Sequence, residues 1–264
     1  MPTPEPGQVV VSVDGAVATL TLSNPARRNA MTVAMWQQLA QFARSTHERR
    51  DVRVVIVRGA GRLAFCAGAD ISGFAEARSG AGNARAYDDL VEEACLAIEA
   101  MRCPSLALIH GACAGAGASI AASCDIRLAA AGSFIAVPAA RLGLGYDPRG
   151  IKRFLRVMGR AAASEILFGA DRFPVERAAA MGAVAAVAPA DEIEARAQAL
   201  ATRIAENAPL TIAAAKVALR AHVSGEQAAL DEAMRLYEDA DASADYAEGR
   251  AAFLEKRTPR FQGR

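Results

Sequence analysis

The stretch SLALIHGACAGAGASIAASCD, residues 105–125, leaves the backbone few options. Residues 105–110 are an apolar run of strand length, and beyond the glycines the chain continues as an apolar, helix-like segment. A strand that turns through glycines into a helix is the building step of an α/β layer. It also aims the unpaired first N–H groups of the helix, with their partial positive charge, at whatever lies outside the turn. The turn and first helical residues offer only Gly, Ala and Ser119, so no side chain there is a ready acid or base. A dinucleotide fingerprint does not fit: the turn is mid-chain, the third glycine is misplaced and no acid follows at the ribose distance. A P-loop fails for want of its lysine. Two readings remain. One is a tight helix–strand contact that needs small residues; the other is an oxyanion hole whose donors are backbone amides.

Residues 9–13 and 17–22 around Asp14-Gly15 predict a hairpin, with the Asp-Gly pair supplying the positive φ angles of a type I′ turn. The helical spacing of Met35, Trp36, Leu39 and Phe42 predicts a helix over 32–49 with Thr32 as its N-cap. Residues 52–57 read as a buried strand, 59–68 as a loop and 84–101 as a helix. Strands follow at 105–110, 126–130 and 134–136. From 147 the pattern is helical apart from a strand at 184–187, and from about 191 it is three or four alanine-rich helices. This order predicts an α/β core, 1–190, followed by a helical unit, 191–264.

The 264 residues are 53% hydrophobic, enough for one large core. A net charge of +1, with scattered arginines and no basic run interleaved with aromatics, argues against nucleic acid or an anionic membrane as partner. Cys66, Cys95, Cys103, Cys113 and Cys124 are odd in number and contain no C-x-x-C pair. That argues against a disulfide framework or a zinc site and for reduced thiols in a core. The start MPTPEPGQ has neither a basic n-region nor an apolar h-region, and no apolar run reaches the roughly 18 residues of a membrane span. A cytoplasmic location is expected.

An oxyanion hole draws its second donor from another tight loop. Phe65-Cys66-Ala67-Gly68-Ala69-Asp70, after the 52–57 strand, has that character. With this loop in view the chain resembles the crotonase (enoyl-CoA hydratase/isomerase) superfamily. Asn24-Pro25-Ala26-Arg27-Arg28-Asn29-Ala30-Met31 is similar to the family's N-P-x-x-x-N-A-[LM] segment. FCAGADI is similar to its first oxyanion loop and HGACAGAGASIAASCDIRLA to its second. Arg141-Leu142-Gly143-Leu144-Gly145, residues 158–184 and the tail Phe253-Leu254-Glu255-Lys256-Arg257 follow in order, so the resemblance covers nearly the whole chain.

The resemblance implies an α/β fold, a crotonase-like ββα spiral core with a C-terminal helical domain, assembled as a homotrimer or a dimer of trimers. It implies an acyl-CoA thioester substrate whose enolate is stabilised at the thioester oxygen, with no metal and no cofactor beyond the coenzyme A that the substrate carries. By position the two N–H donors are Ala69 and Ala116, and Ala67, Gly68, Asp70, Ile71 and Gly115 complete the substrate loops. The resemblance further implies that Arg27 and Arg28 meet CoA phosphates and that Phe253 and Lys256 contact CoA, often from a neighbouring subunit.

The family's hydratases carry two glutamates. The first lies three residues after the second donor, where this chain has Ser119; the second follows a proline, where FIAVPA has Ala139. A serine hydroxyl is no base near neutrality without an activating partner. The expectation therefore moves from hydration toward isomerase-like proton shuttling. Asp147 lies where several isomerising members carry an aspartate, so Asp147 and Ser119 are the catalytic candidates. A cleft made apolar by Leu144 and Phe134 would raise the pKa of such an aspartate. Asp147 before Pro148 also reads as an N-cap with Pro at N1, opening a helix over 149–157. The alternative function is a non-catalytic acyl-CoA-binding protein that kept the hole and lost the acids. His110 reads as structural, Asp70 as a cap for the next helix, and Tyr146 as a packed or substrate-orienting ring.

Overall fold

In the computed structural model, which describes residues 7–70 and 81–264, strands β1 (Gln8–Asp14) and β2 (Val17–Ser23) form the expected antiparallel hairpin. Asp14 pairs with Val17, so the turn residues are Gly15 and Ala16. Of these only Gly15 has positive φ, 55°, which replaces the expected type I′ turn by one with glycine leading. Helix α1 (Val33–Ser45) starts as predicted, with the Thr32 hydroxyl accepting from the Met35 N–H at 3.2 Å.

The chain then repeats one step. β3 (Val54–Gly59) and β4 (Ala64–Cys66) lead towards α2 (Ala81–Ala100). β5 (Ser105–Ile109) and β6 (Ala112–Ala114) lead into α3 (Ala116–Ser123). β7 (Ile126–Ala130) and β8 (Phe134–Ala136) lead into α4 (Pro148–Gly169), which kinks at Gly159. After β9 (Phe173–Pro174), α5 (Val175–Ala180) and β10 (Ala186–Ala188), the helices α6 (Ala190–Glu206), α7 (Pro209–Ser224), α8 (Gln227–Asp241) and α9 (Ala244–Glu255) complete the chain.

In each step the first strand joins a six-stranded sheet, ordered β1-β2-β3-β5-β7-β10, and the second joins a four-stranded sheet, β4-β6-β8-β9. β2, β3, β5, β7 and β10 run parallel, as do β4, β6 and β8. The inner strands are apolar on both faces because both are covered. Val55, Val57, Ala107 and Ile109 face α1 and α2, while Val54, Ile56, Leu106 and Leu108 face Ile193, Ala197 and Ala201 of α6. The C-terminal helices are tied down by Lys216 of α7, whose Nζ lies 2.8 Å from Asp125 Oδ2 and donates to the Cys103 carbonyl at 2.9 Å. All five cysteines are free and buried, and burial pushes the Cys66 thiol up to about 12. Among the described residues no helix is long and apolar enough to cross a membrane.

The connection from β3 to β4 is framed by segment 24–31, which is buried at Asn24 and from Asn29 to Met31 and exposed between. Asn29, 1% exposed, holds φ at 59°, a conformation its short amide tolerates. Its Nδ2 donates to the carbonyls of Ala60 (3.0 Å) and Ala64 (2.8 Å), and its Oδ1 accepts from the Asn24 N–H (3.2 Å). Asn24 in turn donates to the Ala30 carbonyl at 2.9 Å. Replacing Asn29 by Ala strands these groups at about 1–3 kcal/mol each where burial is complete. Asn29→Ala is expected to lose about 2–4 kcal/mol in denaturant unfolding; a loss below roughly 0.5 kcal/mol would show that the frame is dispensable.

Candidate active site

Two loops meet backbone to backbone. A Cβ added to Gly117 would run into the Cys66 carbonyl oxygen and lie 2.9 Å from the Cys66 Cβ, so only glycine lets α3 come this close to the end of β4. Gly115, the N-cap of α3, has φ 49° and ψ −108°, a region open to glycine. Its N–H donates to the Ala136 carbonyl at 2.9 Å. Ser119 is the first residue of the turn whose N–H returns to the helix, to the Gly115 carbonyl at 3.0 Å. The Ala116 N–H, at the first helical position, therefore has no acceptor within its own helix.

The first loop is held by Met31. The Met31 N–H donates to the Gly68 carbonyl at 2.9 Å, and the Met31 carbonyl accepts from the Asp70 N–H at 2.8 Å. In such a parallel bridge the residue between, Ala69, turns its own N–H and C=O away from Met31. Ala67 is held separately, donating to the Arg28 carbonyl at 3.0 Å.

Ala67, Gly68, Ala69, Gly115, Ala116, Ser119 and Asp147 all line one cleft of about 240 Å³. Trp36, Tyr87, Val91, Leu142, Leu144 and Tyr146 make most of it apolar or aromatic, and Ala139 lies in its wall. Phe134 is not among the lining residues. It sits beneath the Arg172 guanidinium, 4.6 Å from the ring centre, while Ile135 takes the core side of the strand.

Ser119 is buried, and its Oγ lies 2.9 Å from the Tyr146 hydroxyl and 3.3 Å from the Gly115 carbonyl. Burial pushes the Tyr146 phenol up to about 12, so it stays protonated. Asp147 lines the cleft and also caps α4, accepting from the Arg149 N–H at 2.9 Å. The Arg149 guanidinium grips both carboxylate oxygens, with Nη2 to Oδ2 at 2.6 Å, and lies 2.7 Å from Asp89. This contact holds the Asp147 carboxyl below the ordinary aspartate range, the reverse of the rise expected from an apolar cleft.

The remaining sequence candidates lie outside the lining. Arg27 pairs with Asp70 at 3.4 Å, and Arg28 has φ 51°. Phe253, 84% exposed on α9, and Lys256, its C-cap, belong to the helical end. Ile71, and the helix that Asp70 was expected to cap, lie outside the described residues. Among the described residues no cluster of His, Cys, Asp or Glu is arranged for a metal ion. His110 is buried with Nε2 3.4 Å from Glu194 and without a hydrogen-bond partner; burial lowers its pKa, so it is neutral.

Sequence reasoning missed one charged element of the cleft. Arg153, almost fully buried, donates to both oxygens of Glu92 (2.6 and 2.9 Å) and to Glu99 (2.7 Å). Glu92 and Arg153 line the cleft, and Arg156 closes the cluster on Glu99 at 2.9 Å. The available signal was Glu92 and Glu99, two turns apart on a helix whose same face buries Cys95.

Two glycine-containing loops meeting at one cleft on a two-sheet α/β framework define a class, and comparison with known proteins gives it a family. Residues 12–264 match the family model described as enoyl-CoA hydratase/isomerase. The chain is 32% identical to the 2,3-dehydroadipyl-CoA hydratase of Escherichia coli K12, covering 97% of this chain and 99% of that protein. Among solved structures it is similar to an enoyl-CoA hydratase/carnithine racemase from Magnetospirillum magneticum, with TM-score 0.89 and 38% identity over 97% and 96% of the two chains. It is also similar to an enoyl-CoA hydratase from Bacillus anthracis, with TM-score 0.89 and 28% identity over 97% and 100%. The chain belongs to the enoyl-CoA hydratase/isomerase family and has the crotonase fold.

Two outcomes follow from this geometry. Gly117→Ala is expected to force the loops apart and to lower thermal stability and ligand affinity together; a variant with parent melting temperature and affinity would remove the close contact from the argument. Asp147 contributes to stability only while ionised, because its folded pKa lies below the unfolded value of about 3.9. That contribution is complete above about pH 4 and is lost as pH falls through the depressed pKa. Asp147→Asn should therefore lower the melting temperature near neutrality, with the deficit closing as the pH falls through the depressed pKa; a deficit independent of pH would contradict the ion pair.

Proposed function

We propose that this enzyme binds an acyl-CoA thioester, receives its oxygen on the N–H groups of Ala69 and Ala116, and moves a proton through the resulting enolate in place of adding water. The observation that carries this reading is that both residues line one cleft with their amides unclaimed by Met31 and by α3. Preorganised donors of this kind act on charge that develops in the transition state. The absence of glutamate at Ser119 and Ala139 sets the reaction apart from two-acid hydration. Asp147, one of three carboxylates that line the cleft with Asp88 and Glu92, is the proposed proton carrier, and Ser119 supplies a hydroxyl to the same space. The Arg149 grip makes Asp147 a weak base, and this observation favours a second reading, a binding protein that holds the thioester without turnover.

The assembly belongs to the same proposal: a cytoplasmic homotrimer or dimer of trimers, with 1–190 as acyl-CoA-binding core and 191–264 as the associating unit. Leu219, Met234, Tyr237, Phe253 and Leu254 are exposed on the last helices and would be covered by a second copy. A stable monomer in sedimentation at micromolar concentration would count against it.

The functional test uses crotonyl-CoA and its β,γ-unsaturated isomer in deuterated water, followed by mass spectrometry. The expected result is exchange at the α or γ carbon with little 3-hydroxyacyl product. Ala116→Pro removes a donor at a helical position that tolerates proline and should cost about 10²–10³-fold in exchange. Asp147→Asn should stop exchange. Rapid hydration would overturn the isomerase reading, and tight binding with no exchange would install the binding reading.

A further inference from the structure

The Tyr146 hydroxyl is fixed from three sides. Its ring lies against Gly150, where an added Cβ would stand 2.9 Å from Cε1. Phe154 meets it edge-on, with ring centres 5.9 Å apart and planes at 62°. The hydroxyl itself reaches Ser119 Oγ at 2.9 Å. Tyr146 nevertheless lines the cleft and stays half-buried, so a ligand can reach it.

Ser119 stands one helical turn beyond Ala116, about 4.5 Å along the axis. A carbonyl held at the Ala116 amide therefore places its next carbons beside this pair of hydroxyls. The pair holds two protons for three acceptor sites, counting the Gly115 carbonyl. When Ser119 donates to Gly115 and Tyr146 donates to Ser119, the phenol oxygen accepts from a ligand hydroxyl. When the phenol proton turns to a ligand oxygen, Ser119 donates to Tyr146. Both arrangements leave each hydroxyl satisfied, and neither requires ionisation.

We infer that Tyr146, set by Ser119, is the specificity-determining residue of this cleft and reads an oxygen on the third carbon of the acyl group. The inference rests on the acyl-CoA reading above. It assigns the two hydroxyls to recognition, which a purely packed tyrosine would not provide, and it leaves proton movement to other groups.

The test is calorimetric binding of butyryl-CoA and 3-hydroxybutyryl-CoA to the full-length protein. The parent should prefer the 3-hydroxy ligand by about three- to tenfold, the reach of one hydrogen bond. Tyr146→Phe keeps the ring against Gly150 and Phe154 and should erase the preference, so that the two ligands bind this variant equally. Ser119→Ala frees the phenol from its guide and should reduce the preference; it carries the test by itself if the phenylalanine variant fails to fold. An equal preference in parent and variants, or none in the parent, overturns the inference while the acyl-CoA reading stands. Failure of the parent to bind butyryl-CoA overturns both.

Discussion

The close approach of Gly117 to the backbone of Cys66 is the constraint from which the site follows. A helix terminus carries unpaired amides wherever it occurs, but they acquire a use only when a second donor is brought beside them. Here the absence of a single Cβ lets the start of α3 rest on the end of β4. Gly115 makes the sharp entry, and the Asn24–Asn29 pair stiffens the loop on the other side. The two loops come from successive steps of the spiral, so the parallel pairing of β4 with β6 also brings them into register.

Around this contact the polar groups fall into two kinds. Some are spent on architecture: Asp125 joins Ser105 to Lys216, and Arg153, in the cleft wall, neutralises Glu92 and Glu99. Burying such charges costs more than it returns unless each is matched, and here each guanidinium or ammonium group meets carboxylate or carbonyl oxygens. The others face the cleft with modest reactivity: a protonated phenol, a serine hydroxyl and an aspartate already gripped by arginine.

Much of this architecture was legible in the sequence because it depends on local signals. The hairpin, the Thr32 cap, the long inner strands and both glycine loops declare themselves through alternation, capping and small-residue runs. β6 and β9, of three and two residues, are too short to show a period. Phe134 was placed in the cleft because the alternation along β8 gives two faces and the sequence does not say which one faces the ligand. The pKa of Asp147 was misjudged because its partner, Arg149, is two residues away, whereas helix pairing is ordinarily sought at three or four. The Arg153 cluster joins α2 to α4 across tertiary space, which no linear pattern announces.

In the reading proposed here, an oxyanion hole made from Ala69 and Ala116 separates the part of a site that binds from the part that reacts. Every residue except proline brings the same N–H, so side chains at these two positions can drift while the donors persist. Under that proposal the groups that would decide the fate of the enolate sit elsewhere, at Ser119, Ala139, Tyr146 and Asp147. Such a scaffold can inherit one intermediate and redirect it, and what must stay constant is a missing methyl group at Gly117.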